Sequence, residues 1–544
     1  MDQTTPAPSP QQDGDSAVQV ARSTLVVVGG LAASFVIGPV RQGIISNKFG
    51  TSAALDAYTA ANSLSELLVA TLAYGTLTFA FMPVYAELLA GDGKDDANRL
   101  FSQVVTLVFV LAGLAAAVAA LLAPTLVGAP GWGIGQGFPP DIQRLTVQLI
   151  RILLFSTIIF AASGILTGTL HVHQHFLLPA LAPVVYSGGI IFGALALAPS
   201  MGIFGLAWGA VIGAAFHLLI QVPGLIGFRV RWRPVFDWHS PTLGRVFVLM
   251  APRVVDLLMA RISIGWLNGS IGSALGEGRV SALGYAYQLM NIPWTLVGTA
   301  IGFAIFPTMT KMAARKDVDA QRKALSGALR AIFTLSIPAA VGMIMLGRPL
   351  IRLLFERGEF TTQSTELVFY ALQFYMVFLL GQSMLDVIVR AFAAQQDTLT
   401  PLLVSFFTTA LNIGLAIWLS RPIAAGGLEH GGLALANGVA VTVESLTGLT
   451  ILHFRWRGVD ARRILVNVGK AGLAAAVMGG VLWAFQTVLQ PGALIAVVGG
   501  GALGVGVYFA VALALGIEEI RTIPMALIRR FLDRGRTAEA YADR

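Results

Sequence analysis

Few ionisable residues fall inside the long apolar runs of this chain, and those few define what chemistry is available. Arg41 follows Gly38-Pro39 within the first run. Proline lacks an N–H and crowds the preceding turn, so a helix break is expected there. A guanidinium in hydrocarbon must face a cavity, a partner or the interface. A broken helix beside a cation is what an intramembrane anion site needs; the plainer alternative is a kinked helix whose Arg41 reaches the near interface. In the second run Asp56 lies near the mouth, with Asn62 and Glu66 deeper. Glu66 suits either proton coupling or a structural ion pair that neutralises Arg41. The seventh run carries Arg253, Asp256, Arg261 and Asn268. Arg253 and Asp256 stand at i,i+3 and can pair near the interface, which leaves the deeper Arg261 as a second anion contact. Gln288 and Asn291 share a face just before Pro293 and suit sugar hydroxyls, a cation or freed backbone groups. Asp386 and Arg390 at i,i+4 read as a structural pair, and Arg151, Asn412 and Glu444 complete the set.

No spacing among these residues fits a nucleophilic triad or a zinc site. His171, His173 and His175 lie between two apolar runs with no carboxylate nearby, which favours a solvated loop over a metal tract. The absence of cysteine removes disulfides, thiolate metal sites and a cysteine nucleophile. No phosphate-binding loop with its Lys-Ser/Thr is present, so no ATP motor is expected. The connections between runs are too short and too poor in carboxylates for a membrane enzyme acting on lipid-linked sugars. No cofactor is expected, and any driving force must come from Na+ or H+ coupling, the membrane potential or the substrate's own gradient.

The elements that must position these residues follow from composition. The 544 residues are 56% hydrophobic and only 12% charged, with a mean hydropathy of +0.75, whereas soluble domains carry about 25% charged residues. The chain therefore reads as an all-α polytopic membrane protein. A span needs about 20 apolar residues, and fourteen such runs are expected, with Leu346–Phe360 as a possible short interfacial helix. The net charge of +8 resides in alternate loops, including Lys311, Arg315, Arg455, Arg457, Arg462 and Arg463. That pattern is explained by topology, with no nucleic acid partner, and it places both termini in the cytoplasm. Residues 1–20 are rich in Pro, Gln, Thr and Asp and read as a disordered tail without a signal peptide.

An internal echo organises the spans. Gly75-Thr76 and Pro83 recur as Gly298-Thr299 and Pro307, Leu177-Leu178-Pro179 as Leu399-Thr400-Pro401, and Gly205-Leu206-Ala207 as Gly432-Leu433-Ala434. The displacement is roughly 220–230 residues each time, six spans apart, which describes two six-helix lobes in a parallel pseudo-twofold repeat. The expected division is a tail at 1–20, a first lobe at 21–230, a second lobe at 240–456, two further spans at 462–516 and a C-terminal tail at 517–544.

Ordered motifs along nearly the whole chain resemble one family. Gly38-Pro39-Val40-Arg41-Gln42 with Leu55-Asp56-Ala57-Tyr58, Phe81-Met82-Pro83-Val84-Tyr85, Leu178-Pro179-Ala180-Leu181-Ala182-Pro183, Phe355-Glu356-Arg357-Gly358-Glu359-Phe360 and Gln396-Asp397-Thr398-Leu399-Thr400-Pro401 are similar to the MurJ/MviN lipid II flippases. The resemblance implies the multidrug/oligosaccharidyl-lipid/polysaccharide exporter superfamily, with two extra helices whose groove takes a lipid tail. It further implies an undecaprenyl-pyrophosphate-linked sugar-peptide moved from inner to outer leaflet of the bacterial inner membrane by alternating access, and a possible association with peptidoglycan synthesis machinery. Arg41 and Asp56 match the family pattern. Other cavity cations of the family are replaced by Phe35, by Val69-Ala70 and within Tyr287-Gln288-Leu289, and a nearby acidic residue is replaced by Asn291. Arg253 and Arg261 are expected to compensate in part, and the family's sodium site would correspond to Asn268 and Asn412. The alternatives are an exporter of another lipid-linked oligosaccharide, an organic cation antiporter suited to Asp56 and Glu66, and a non-transporting envelope scaffold.

Overall fold

The computed structural model describes residues 36–71, 77–91, 93–237, 244, 258–259 and 261–520. Helices account for almost all of them. In chain order these are α1 (36–49), α2 (Ala53–Val69), α3 (Leu77–Ala90), α4 (Lys94–Gly128), α5 (Pro140–Val172), α6 (Leu177–Met201), α7 (Ile203–Gly227) and α8 (Leu267–Gly272). They continue with α9 (Arg279–Ala314), α10 (Val318–Phe355), α11 (Thr362–Ala394), α12 (Leu399–Leu419), α13 (Glu429–Arg455), α14 (Ala461–Leu489) and α15 (Ala493–Ala514). Among the described residues, 11 helices, α4–α7 and α9–α15, are long and apolar enough to cross a membrane. The first, second and seventh expected spans fall at α1, at α2–α3 and around α8, each adjoining residues outside the described set, so the structure is compatible with fourteen. α1 is helical through Gly38-Pro39, so the break expected there does not occur within the described part. α10 is a single helix of 38 residues, and the interfacial segment expected after Leu346 is simply its last turns. At about 1.5 Å per residue it reaches roughly 57 Å, well beyond the ~30 Å hydrocarbon core.

Backbone geometry repeats with the sequence echo. Left-handed residues recur as Gly50 and Gly278, Gly131 and Gly358, Gln174 and Gln396, Gly202 and Gly426, and Arg229 and Arg457. The turn after α5 closes with Gln174 N–H to His171 C=O at 3.0 Å and His175 N–H to Leu170 C=O at 2.9 Å. The turn after α11 closes in the same way, Gln396 to Ala393 and Asp397 to Phe392, both at 3.0 Å. This paired pattern satisfies carbonyls that a helix end leaves open. π-helical turns also match: residues 70–71 follow α2, and Thr295–Thr299 lies within α9 just past Pro293.

Two compact units emerge. The first comprises residues up to Glu277 with Arg357–Phe360; the second comprises Gly278–Glu356 and the chain from Thr361 onward. In the first, Phe81 and Tyr85 of α3, Leu100 and Phe101 of α4, and Ile165 and Leu170 of α5 form the core. α6 and α7 approach through facing glycines. A Cβ on Gly189 would meet the Gly213 backbone, and one on Gly193 would meet Gly209. Small residues at i,i+4 on both helices let the backbones touch, which is how spans associate when lipid removes the hydrophobic drive. The seventh span docks here too. Trp266 Nε1 donates to the Trp132 carbonyl at 2.7 Å and the two indoles stack, while Ala53 N–H donates to Glu277 at 3.0 Å. The turn at 357–360 seals against the end of α1, with Glu359 N–H donating to the Asn47 carbonyl at 3.0 Å. Gly50 and Gly358 are both left-handed, and a Cβ on either would strike the opposite turn.

In the second unit, Leu325, Leu329 and Ile332 of α10 pack with Val387, Ile388 and Phe392 of α11 and with Leu452 of α13. Ala471, Ala474 and Met478 of α14 join Tyr508 and Ala512 of α15 against Val341 and Leu346 of α10. Asp386 and Arg390 do pair, at 3.7 Å, and Asp386 also accepts Trp294 Nε1 and the Thr299 hydroxyl, each at 3.0 Å.

Asp397, in the turn before α12, accepts the Thr400 N–H at 3.0 Å, the Thr400 hydroxyl at 2.7 Å and Arg455 at 2.8 Å. Burial works against its charge, but these three donors outweigh it and hold the carboxyl below the usual carboxylate range. A depressed folded-state pKa contributes stability above the unfolded value of about 3.9, which is lost as pH falls through the folded value. Asp397→Ala is expected to cost about 1–2 kcal/mol at neutral pH, with the difference in melting temperature from the parent shrinking below about pH 4. Gly209→Val should force α6 and α7 apart and destabilise by about 1–3 kcal/mol or more; denaturant unfolding in detergent reads both effects.

Candidate functional site

Glu66 and Arg261 meet at a cavity of about 430 Å³ whose wall also includes Asn62, Tyr186 and His217. Asn62 and Glu66 stand at i,i+4 on one face of α2, and the Asn62 amide donates to Glu66 Oε1 at 2.8 Å. Arg261 Nη1 donates to Glu66 Oε2 at 2.9 Å. Each carboxylate oxygen thus has its own donor, and the pair closes a contact between α2 and the seventh span. Arg261 directly precedes the π-helical turn Ile262–Trp266, a distortion that often marks functional positions in helices. A Cβ on Gly265 in that turn would meet the Ser63 side chain, so the turn lies close along α2.

The neutral wall is built from matched polar stripes. Ser163 and Thr167 on α5 face His217 and Gln221 on α7, each couple at i,i+4. The Ser163 hydroxyl lies 2.7 Å from His217 Nδ1, Gln221 Nε2 donates to Ser163 at 2.9 Å, and Thr167 donates to Gln221 Oε1 at 2.8 Å. The Ser65 and Thr157 hydroxyls join α2 to α5 at 2.7 Å. These uncharged residues were not singled out from the sequence. The signal was the coincidence of two i,i+4 polar couples in apolar runs.

Arg41 is half-buried on α1, and its Nη1 donates to the Ser187 hydroxyl at 3.4 Å. It lies within electrostatic reach of Tyr58 and Tyr186. Among the described residues it has no carboxylate partner: Glu66, expected to neutralise Arg41, is matched by Arg261 instead. Asp56 is fully buried in the first turn of α2, where a carboxylate complements the helix dipole. Val69 and Ala70 do line the cavity, and they make that part of its wall apolar. Asn268 lies half-buried on α8 in the first unit. Gln288 and Asn291 are half-buried on α9 in the second unit. Also in the second unit, Asn412 is buried on α12, where its amide donates to Asn437 of α13 at 2.8 Å, and Thr408 donates to Glu444 at 3.2 Å. Arg253 and Asp256 lie outside the described residues.

Among the described residues no cluster of three or more His, Cys, Asp or Glu could hold a metal. The His171–His175 tract is packed against aromatic rings. His173 stacks on Phe228 with centroids 4.6 Å apart and bonds the Tyr85 hydroxyl at 3.2 Å. Burial there pulls the His173 imidazole below its ordinary pKa.

A duplicated set of apolar helices around a polar cavity defines a polytopic membrane protein, and its fold recurs in solved transporters. A solved inward-facing multidrug transporter aligns with a TM-score of 0.65 and 17% identity over 79% of this chain and 98% of that one. A solved structure titled lipid II flippase MurJ, inward closed conformation, aligns with a TM-score of 0.74 and 22% identity over 90% of this chain and 98% of that one. The family model described as lipid II flippase MurJ matches residues 45–499. A lipid II flippase MurJ from Burkholderia cenocepacia is 30% identical over 80% of this chain and 84% of its own length. A probable lipid II flippase MurJ from Rhizobium meliloti is 27% identical over 96% and 98%. The chain belongs to the MurJ family.

Arg261 and Glu66 are 46% and 52% exposed, so their pair faces open space and screening limits its contribution. A double-mutant cycle with Glu66→Ala and Arg261→Ala is expected to give a coupling under about 1 kcal/mol in unfolding free energy. A coupling of about 3 kcal/mol or more would mark a buried structural pair instead.

Proposed function

We propose that this protein is a flippase that moves lipid II, the undecaprenyl-pyrophosphate-linked peptidoglycan precursor, from the inner to the outer leaflet of the bacterial cytoplasmic membrane by alternating access. The observation that carries this reading is the family match, which runs continuously through both repeats and into the last two spans. Both termini lie in the cytoplasm, in keeping with the Lys/Arg bias of the loops. The cargo's diphosphate demands charge-assisted donors. Arg41 supplies one, since its guanidinium is half-buried and unpaired with any carboxylate among the described residues. Arg261 supplies another on release from Glu66, so that cargo and Glu66 compete for one guanidinium. Asp56, buried in the first turn of α2, supports the same site within the first unit. The pairing of Glu66 with Arg261 weakens the organic cation alternative, because the carboxylate that would attract a cation is already matched.

Na+ or H+ coupling is the proposed driver. Asn412, whose amide donates to Asn437 at 2.8 Å, brings to α12 an oxygen of the kind a hard cation takes. Transport also places the protein beside the peptidoglycan synthesis machinery that consumes its product.

Expression in a flippase-depleted bacterium should restore growth, and the purified protein should translocate lipid II in vesicles. Failure in both assays by correctly folded protein would overturn the reading. Arg41→Ala is expected to abolish translocation while leaving the melting temperature within a few degrees of the parent, because no carboxylate is orphaned by its loss. Loss of folded protein on that substitution would instead assign Arg41 a structural role.

A further inference from the structure

A second cavity, of about 490 Å³, opens in the second unit where α10, α14 and the chain after α15 meet. Its wall carries Arg330, Arg462, Arg463 and Lys470 against two carboxylates, Glu518 and Glu519. The floor is a fixed polar network. Arg330 pairs with Glu519 and lies 3.6 Å from Glu518, Asn467 donates to Glu519 at 2.9 Å, and Thr334 donates to Asn467 at 3.3 Å. Both carboxylates lie within ion-pair reach of Arg330. Among the described residues, Arg462, Arg463 and Lys470 have no carboxylate partner, and the buried Arg330 Nε has no hydrogen-bond partner. The cavity holds surplus positive charge and an unused buried donor.

Its position adds a second constraint. Arg462 and Arg463 open α14, and Glu518 and Glu519 follow the end of α15, so the cavity lies at the ends of these spans, at interface depth. Lys470 enters it from two turns further along α14. Val466, Lys470, Leu473 and Val477 fall at i, i+4, i+7 and i+11 and so form one stripe; its three apolar members are exposed. The stripe leads from the cationic cavity onto bare apolar surface. A free anion would use only the first part; a lipid would use both.

We propose that this cavity binds the phosphodiester headgroup of an anionic phospholipid from the leaflet facing the Lys/Arg-rich loops, with an acyl chain lying along Leu473 and Val477. Basic pockets between spans at the interface suit such headgroups, and Lys470 can extend its stem along the apolar stripe while its ammonium reaches the phosphate. The ligand is a resident lipid, distinct from any cargo, and the proposal stands apart from the translocation reading.

The test uses full-length protein stripped of lipid in a neutral detergent, with retained lipid counted by native mass spectrometry and melting temperature followed on titration. Phosphatidylglycerol should be retained and should raise the melting temperature; phosphatidylcholine should do so far less, and water-soluble glycerol phosphate should do neither. Arg463→Gln and Lys470→Gln change exposed or half-buried positions, and each should weaken phosphatidylglycerol retention roughly tenfold. Leu473→Gln should weaken it while leaving any response to glycerol phosphate unchanged. Equal responses to both lipids in parent and variants would overturn the proposal. Stabilisation by glycerol phosphate matching that by phosphatidylglycerol would overturn the lipid assignment in favour of a free phosphate site.

Discussion

In hydrocarbon, a backbone N–H or C=O that leaves its helix finds no water to take it, and almost every feature of this chain follows from that constraint. Departures from the α-helix are confined to forms that keep the groups paired. π-helical turns at Gly193–Leu197, Ile262–Trp266 and Thr295–Thr299 shift bonds without opening them. Helix ends close on themselves through left-handed residues. Because those devices are set by residue type and spacing, the duplication preserved them, and the two repeats share turn geometry even where the sequences at the turns differ. Gln174 and Gln396 lie in His-Gln-His and Gln-Gln-Asp contexts yet take the same conformation.

Within that scaffold, charge is rationed. Glu66 is shared between an amide and a guanidinium, Asp386 collects an indole, a hydroxyl and its i+4 arginine, and Glu519 gathers Arg330 and Asn467. Each of these carboxylates is matched by donors. Among the cations that no described carboxylate matches, those beside cavities or apolar helices are the informative ones: Arg41 within the first unit, and Arg462, Arg463 and Lys470 in the second. An unmatched guanidinium beside apolar helices is an unfilled demand for an anion, and these two places ask for anions of different kinds.

The sequence carries the helices, the repeat and the family because all three are written in local periodicity and ordered motifs. Asp386 with Arg390 was readable because i,i+4 pairing is local. Glu66 with Arg261 was not, since the partners are 195 residues apart and the nearer arginine in the chain, Arg41, was the natural expectation. The Ser163–His217–Gln221–Thr167 wall was missed for a related reason: single neutral polar residues in an apolar run carry no signal until two helices are laid face to face. Leu346–Phe360 reads as interfacial in the sequence because Arg352, Glu356 and Arg357 interrupt the apolar pattern, whereas α10 is long enough to carry its own charges beyond the hydrocarbon.

The reciprocal fit of Gly50 and Gly358 bears on how the protein is made. Chain that emerges first from the ribosome supplies one side of this contact, and a turn that emerges after the ninth span supplies the other. The seventh span likewise completes a unit begun hundreds of residues earlier. The first unit therefore cannot reach its final packing during its own synthesis. It must wait in the membrane, with Glu66 without its guanidinium until the seventh span is made and the Gly50 turn uncovered until the turn at Gly358 follows.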